Sequence, residues 1–170
     1  MTVNRGKQFE TQIQKAFEKV PDVSIDRLLD PMAGYAGIRN ICDYIVYKEP
    51  NEYYIECKSC YRNTLNYSNI TENQWSGLLE KSKIPGVISG VIIWFIDHDK
   101  TIFVPIQKLE YDKKRGLKSV NITHEDTFDT GVIEITGKKK RILFDYDMTS
   151  FFNFTGGDEY GKHLREYENR

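Results

Sequence analysis

The residues best suited to chemistry are Asp43 and the triplet Glu56-Cys57-Lys58. Side chains alternate along an extended strand, so Glu56 and Lys58 share one face and Cys57 turns to the other. If Ile41–Tyr47 and Glu52–Ser59 pair as a hairpin, Asp43 reaches the face of Glu56, and two carboxylates meet beside one ammonium. Carboxylates this close repel, and full ionisation at neutral pH is costly unless a cation sits between them. A hard divalent ion with oxygen ligands meets that need, and magnesium is the usual choice at a phosphate site. Such an ion can generate hydroxide and stabilise charge on a scissile phosphate. Lys58 would then orient or activate the attacking water, or neutralise developing charge. The same spacing also arises by chance in charged proteins, with Glu56 and Lys58 on a solvated strand face and Asp43 incidental. Tyr54, Ile55 and Cys57 read as half-buried, and a strand flanked by such residues rarely presents charges without reason.

The elements that must position these groups can be read from periodicity. The two β-runs are separated by the turn Lys48-Glu49-Pro50-Asn51, a hairpin signature. Arg5 to Val20 reads as an amphipathic helix with Phe9, Ile13, Ala16, Phe17 and Val20 at spacings of three and four, ended by Pro21-Asp22. Ser24 to Asn40 reads as a long connection containing Gly34 and Gly37, with a short strand near Val23–Leu28. Thr71–Lys83 is expected to be a second helix with Trp75, Leu78 and Leu79 on its apolar face and Pro85-Gly86 as its stop. Thr71-x-x-Gln74 at its start matches a capping box. Val87–Ile96 is so continuously apolar that it should be a central strand. Thr101–Pro105 returns as a strand, and Ile106–Tyr111 reads as a short helix. Val132–Thr136 is expected to pair with Arg141–Tyr146 across Gly137-Lys138-Lys139-Lys140. The polar stretch from Gly156 is expected to be loosely held. This order implies an α/β or α+β fold, a mixed sheet flanked by helices, in a single domain over residues 1–155 with a polar tail over 156–170.

The chain has 170 residues, one domain's worth, with 24 basic and 25 acidic side chains and a net charge of −1. Bulk basicity therefore gives no reason to bind nucleic acid, and any such argument rests on local patches. Two patches stand out: Lys113, Lys114 and Arg115, with Lys118 nearby, and Lys138, Lys139, Lys140 and Arg141. Such clusters contact phosphates through counterion release, or are simply solvated loops. Arg27 and Arg39 flank the long connection and could line a substrate path, and Tyr35 could stack on an exposed base or pack inward. With 39% hydrophobic and 13% aromatic residues the chain is too apolar to be disordered. No run of 18 uncharged apolar residues exists to form a transmembrane helix. The three cysteines suggest no disulfide framework, and Cys57-x-x-Cys60 lacks the second ligand pair of a zinc site. The residues before Arg5 lack the apolar region of a secretory signal. The expectation is a reduced, cytoplasmic protein with no membrane partner.

Several motifs occur in a telling order. Asn4-Arg5-Gly6 with Phe9-Glu10 heads a helix. Arg39-Asn40-Ile41-Cys42-Asp43-Tyr44 follows, then Tyr54-Ile55-Glu56-Cys57-Lys58-Ser59. Gln74-Trp75 precedes Gly77-Leu78-Leu79, and Arg-Ile-Leu-Phe-Asp-Tyr closes the set at Arg141–Tyr146. This series resembles the RecU-type Holliday-junction resolvases of the PD-(D/E)xK, restriction-endonuclease-like superfamily. The archaeal resolvase Hjc, which shares the helix Glu and the D…ExK core, is the next nearest pattern. Two departures are visible: Cys42 stands where that core usually has Pro, and the segment between Gly6 and Asp43 is shorter than in bacterial RecU, whose mid-region protrudes as a stalk.

The resemblance implies a restriction-endonuclease-like core and a magnesium-dependent, structure-selective DNA endonuclease that hydrolyses phosphodiester bonds at four-way junctions in recombination and repair, with Mn2+ able to substitute. It implies Asp43 and Glu56 as metal ligands, the carbonyl of Cys57 as a further ligand, and Glu10 as a ligand directly or through water. Lys58 becomes the catalytic lysine, Gln74 positions water or substrate, and Arg5 contacts DNA near the cut. It also implies a homodimer, for which Phe151, Phe152 and Phe154 offer one surface if they are not a C-terminal core segment. Two other readings stay open: a PD-(D/E)xK nuclease with a repair- or restriction-type target, and a DNA-binding recombination accessory protein that does not cleave.

Overall fold

The computed structural model describes residues 4–29, 39–129 and 131–170. Its elements run α1 (Arg5–Glu18), β1 (Ser24–Arg27), β2 (Tyr44–Lys48), β3 (Asn51–Cys60), β4 (Thr64–Asn66), α2 (Glu72–Ser82), β5 (Val87–Phe95), β6 (Lys100–Pro105), α3 (Ile106–Lys114), β7 (Ser119–Asn121), β8 (Ile133–Glu134), β9 (Gly137–Lys139), β10 (Phe144–Tyr146), α4 (Thr149–Thr155) and α5 (Asp158–Asn169). A six-stranded mixed sheet has the order β1-β2-β3-β5-β6-β8. The β2–β3 hairpin is antiparallel, with Tyr44 opposite Ile55 and Lys48 opposite Asn51. The α2 crossover returns the chain to pair β5 parallel to β3, from Glu52–Val87 to Cys60–Phe95.

Both faces of the sheet are covered, which is why β5 carries an almost unbroken apolar run. Against one face lie α1, α4 and α5, with Phe9, Phe17, Tyr53, Trp94 and Phe151 buried between layers. Against the other lie α2 and α3, closing over Leu78, Val91, Ile93, Phe95 and Leu109. Period-2 alternation on β3 sends Tyr53, Ile55 and Cys57 into the first layer and Tyr54 into the second. The expected mixed sheet with flanking helices is therefore the fold observed, and among the described residues no helix is long and apolar enough to cross a membrane.

The C-terminal third departs from expectation in three places. Val132–Thr136 does not pair with Arg141–Tyr146. Instead β8 adds to the edge of β6, with Phe103 opposite Ile133, and β9 takes up β10, with Phe144 opposite Lys139. The loop residues Gly137–Lys139 thus become a strand of their own, held by backbone bonds with every side chain exposed. The stretch after Gly156, expected to be loosely held, forms α5, whose Tyr160, Leu164 and Tyr167 are buried. Tyr160 donates its hydroxyl to the carbonyl of Gly131 at 2.9 Å. Phe151 and Phe152 are consumed by the protein's own core against Phe17, Tyr53 and Phe103, so of the three phenylalanines only Phe154 is left exposed. The expectations for Gly34, Tyr35 and Gly37 lie outside the described residues.

Candidate active site

Asp43 sits at the mouth of the hairpin, and backbone bonds fix it from three sides. Its N–H donates to the carbonyl of Ile55 at 3.0 Å, and its carbonyl accepts from the N–H of Leu28 at 2.8 Å. Its carboxylate Oδ2 accepts from the N–H of Cys57 at 2.7 Å. The ladder register that sets Tyr44 opposite Ile55, continued by one residue, sets Asp43 opposite Glu56. The hairpin turn and strand pairing are thus what bring two carboxylates together across thirteen positions of chain.

Glu56 is only 2% exposed. Its Oε1 accepts from Lys58 Nζ at 2.7 Å and from Gln74 Nε2 at 2.6 Å. Its Oε2 is buried with no hydrogen-bond partner among the described residues. Burial pushes the Glu56 carboxyl up to about 7, and the negative charge of Asp43 adds to the shift. Lys58 opposes it, and Glu10 contributes further repulsion. A buried acid raised this way, beside another acid and with an unfilled oxygen, is in an environment suited to a bound cation.

Gln74 completes the capping box and also bonds Glu56. Its backbone N–H donates to Thr71 Oγ1 at 3.3 Å, and its side-chain Oε1 accepts from the N–H of Thr71 at 3.0 Å, completing the capping box of α2. The other end of the same amide, Nε2, reaches Glu56. The helix cap therefore aims a donor at the carboxylate. One turn further along, Gly77 faces Ile41, and a Cβ at position 77 would lie 2.3 Å from Ile41 Cγ2. Only a glycine lets α2 approach the chain entering Asp43 this closely.

Glu10 lies on α1 against the opposite face of the sheet. Its carboxylate Oε2 meets Arg27 Nη2 at 3.1 Å, and its carbonyl accepts from the hydroxyl of Tyr44 at 3.1 Å. It is close enough for its charge to act on both Glu56 and Cys57. Arg27, expected to meet DNA, is thus engaged with Glu10, and its guanidinium lies 5.9 Å from the Tyr44 ring centroid. Arg5 donates to Gln8 Oε1 at 3.0 Å on the first turn of α1, where Asn4 is the N-cap.

The basic clusters lie in separate places, one at the end of α3 and the other on and after β9. Lys113 at the end of α3 stands 4.4 Å from the centroid of the Trp75 ring, the residue after Gln74. Lys114 and Arg115 lie 3.8 and 3.9 Å from Glu110 and Asp112. Lys139 on β9 pairs with Asp99, and Lys140 lies 3.9 Å from Asp145.

Residues that sequence reasoning missed include Asn73 and Asn40. Asn73 Nδ2 donates to the carbonyls of Arg39 and Asn40, both at 3.1 Å, and Asn40 Nδ2 donates to the carbonyl of Leu29 at 2.7 Å. These side chains tie α2 to the chain on both sides of residues 30–38. No local spacing signals these bonds, because their partners stand 11 to 34 residues apart.

The residues suit a hard divalent cation. The unfilled Oε2 of Glu56 and the neighbouring Asp43 supply hard oxygens. Among the described residues no group of three His, Cys, Asp or Glu side chains is gathered closely enough to hold an ion unaided. A hard divalent cation can be held by one or two carboxylates together with water and substrate phosphate.

A mixed sheet with flanking helices and an acidic hairpin is the architecture of the restriction-endonuclease-like resolvases, enzymes that cut DNA at junctions and generally depend on a divalent metal. The family model described as RecU, Recombination protein U, matches residues 26–148, well over half of the sequence, and the chain belongs to that family. Asp43, Glu56, Lys58 and Gln74 fall inside the matched stretch, and Arg5 and Glu10 fall before it. Among solved structures the chain is similar to Archaeoglobus fulgidus Hjc, a Holliday junction resolvase from an archaeal hyperthermophile. That likeness has a TM-score of 0.46 and 18% identity, over 61% of this chain and 78% of that one. No curated protein sequence matches the chain.

Proposed function

We propose that this protein is a magnesium-dependent Holliday-junction resolvase in which Asp43 and Glu56 hold the metal and Lys58 serves the attacking water. The observation that carries this reading is Glu56, buried opposite Asp43 with one oxygen filled by Lys58 and Gln74 and the other unfilled. The cation, when bound, supplies polarisation of the scissile phosphate and a lowered pKa for water. The protein's own groups do the rest. Asp43 is locked by the Cys57 N–H, and the carbonyl of Cys57 adds a ligand from the same strand. Gln74 holds Glu56 in place, so its orientation does not depend on substrate. Lys58 lies against Glu56 and offers a positive charge where negative charge develops on the phosphate. Glu10 approaches through water from α1, with Arg27 restraining it.

Duplex arms bind to Arg5, Arg39, Lys113–Arg115 and Lys138–Arg141, whose positive charge suits phosphates. A homodimer would present two such sites to the two-fold symmetric junction. The test is a purified sample incubated with a synthetic mobile four-way junction and with linear duplex. Symmetric nicking of the junction in magnesium, or in manganese, with the duplex spared supports the reading. Equal cutting of duplex points to a repair- or restriction-type nuclease, and tight binding without cutting in either metal points to an accessory protein.

A further inference from the structure

The strand that carries Glu56 and Lys58 ends at Cys60, and the next two residues are Tyr61 and Arg62. Tyr61 is 58% exposed, one of the largest apolar groups on the surface. At roughly 3.3 Å per residue it stands about 10 Å beyond Lys58 along the strand direction. Arg62 has a φ of 65°, in the left-handed region, which L-residues with a full side chain seldom adopt. Its backbone N–H is pinned by Asp97 Oδ2 at 2.7 Å. An isolated exposed tyrosine needs no explanation. Here the backbone beside it is held in a disfavoured shape by a side chain from the β5–β6 turn, and such outliers cluster at functional surfaces.

The charges around the tip are arranged for a polyanion. Cys60 pairs with Phe95, which brings Tyr61 and Arg62 beside the β5–β6 turn. The acids of that turn are both engaged: Asp97 by the Arg62 N–H and Asp99 by Lys139 of β9. The Asp99–Lys139 pair also anchors the β9–β10 hairpin, with Lys138 and Lys140, to the same end of the sheet. Lys58, the Tyr61-Arg62 pair and the basic hairpin are therefore gathered toward one end of the sheet.

We propose that the Tyr61-Arg62 tip is a specificity-determining contact for an unstacked base and its phosphate on the DNA strand leaving the active site. An aromatic face takes any base by stacking, and a neighbouring cation takes the backbone. This rests on the reading above that the protein cuts branched DNA. It adds a requirement that the branch point, where bases can leave the stack, lies beside the cut.

The experiment uses four-way junctions carrying 2-aminopurine at successive positions flanking the cut, bound in magnesium by the full chain with Asp43→Asn so that the DNA stays intact. Binding should change the fluorescence at one or two flanking positions. Tyr61→Ala should abolish that change and weaken junction binding roughly ten-fold, the scale of one lost base–aromatic stack, and Tyr61→Phe should retain both. Arg62→Gly, which relaxes the backbone, should lower the salt slope of binding by about one phosphate. If Tyr61→Ala binds and signals like its parent while the unsubstituted protein cuts the same junction, the tip is not a DNA contact and the inference falls alone. If the unsubstituted protein neither binds nor cuts the junction, the reading beneath falls with it.

Discussion

Two buried charge clusters lie on the same side of the sheet, and their difference separates architecture from chemistry. At one, Lys108 is buried on α3 between Asp112 at 2.6 Å and Asp129 at 3.6 Å, so a buried cation is answered by anions. At the other, the buried group is itself an acid. Glu56 has Lys58 and Gln74 on one oxygen, but Asp43 and Glu10 add like charge. The first arrangement carries its counter-charge within the chain. The second has a carboxyl raised to about 7, and a positive guest would bring it back to its charged form. A sequence search for buried ion pairs would score the two alike, and only the sign of the surrounding charge tells them apart.

Substitutions can sharpen the contrast. The largest effect belongs to the acidic pair: Asp43→Asn or Glu56→Gln should reduce junction cutting by on the order of a thousand-fold or more while junction binding survives, as gel-shift and cleavage assays run in parallel would show. Cleavage retained in both variants would remove the pair from the metal site. Lys108→Ala should behave oppositely. It strands the buried Asp112 and takes a partner from the half-buried Asp129, so it should lower stability by roughly 3–5 kcal/mol in denaturant titrations, with cutting per folded molecule unchanged.

The pH dependence of the metal-free protein gives a third comparison. Glu56 is an acid raised from 4.5 to about 7 in the folded state, so the folded chain holds that proton more tightly than the unfolded chain. Stability from this group is therefore full below the ordinary carboxyl range and declines as pH rises from 4.5 to about 7. Denaturant midpoints measured across that range should fall, and Glu56→Gln should flatten the fall. Added magnesium should reverse the trend, because proton and cation compete for the same oxygens. A midpoint that does not change with pH in the unsubstituted protein would contradict the raised carboxyl.

A smaller effect is expected at Gln74. Gln74→Ala removes one half of a capping box and should cost about 1 kcal/mol of stability. It also frees Glu56, so cutting should drop by more than that loss explains. The smallest is at the β9–β10 hairpin, where neutralising Lys138 and Lys140 should each lower the salt slope of junction binding by about one. An unchanged slope would make that hairpin an ordinary solvated turn.

The hairpin core was legible because three signals agreed there: alternation on β3, a Pro-bearing turn, and an acid at the matching register position. The helix start at Thr71 was legible from capping chemistry, but the bond from Gln74 to Glu56 was not, since sequence offered Gln74 only water or substrate as an active-site partner. The C-terminal third was obscure for physical reasons. α5 buries Tyr160, Leu164 and Tyr167 at helical spacing, but two tyrosines among charges look polar to a composition-based reading. β9 has no buried side chain, so hydrophobic patterning carries no trace of it, and the preceding apolar run was assigned to the wrong partner. The Arg27–Glu10 pair and the Asn73 bonds join distant segments, and nothing in their neighbours' periodicity could announce them.

The absent side chain at position 77 has a consequence of its own. Ile41 occupies the space that any larger residue would need, and Ile41 lies two positions before Asp43 just as Gly77 lies one turn after Gln74. A single added methyl group there would wedge the helix away from the hairpin mouth, pulling the amide off Glu56 and tilting Asp43. The enzyme could thus be silenced by the smallest possible change at a site that bears no charge and no side chain.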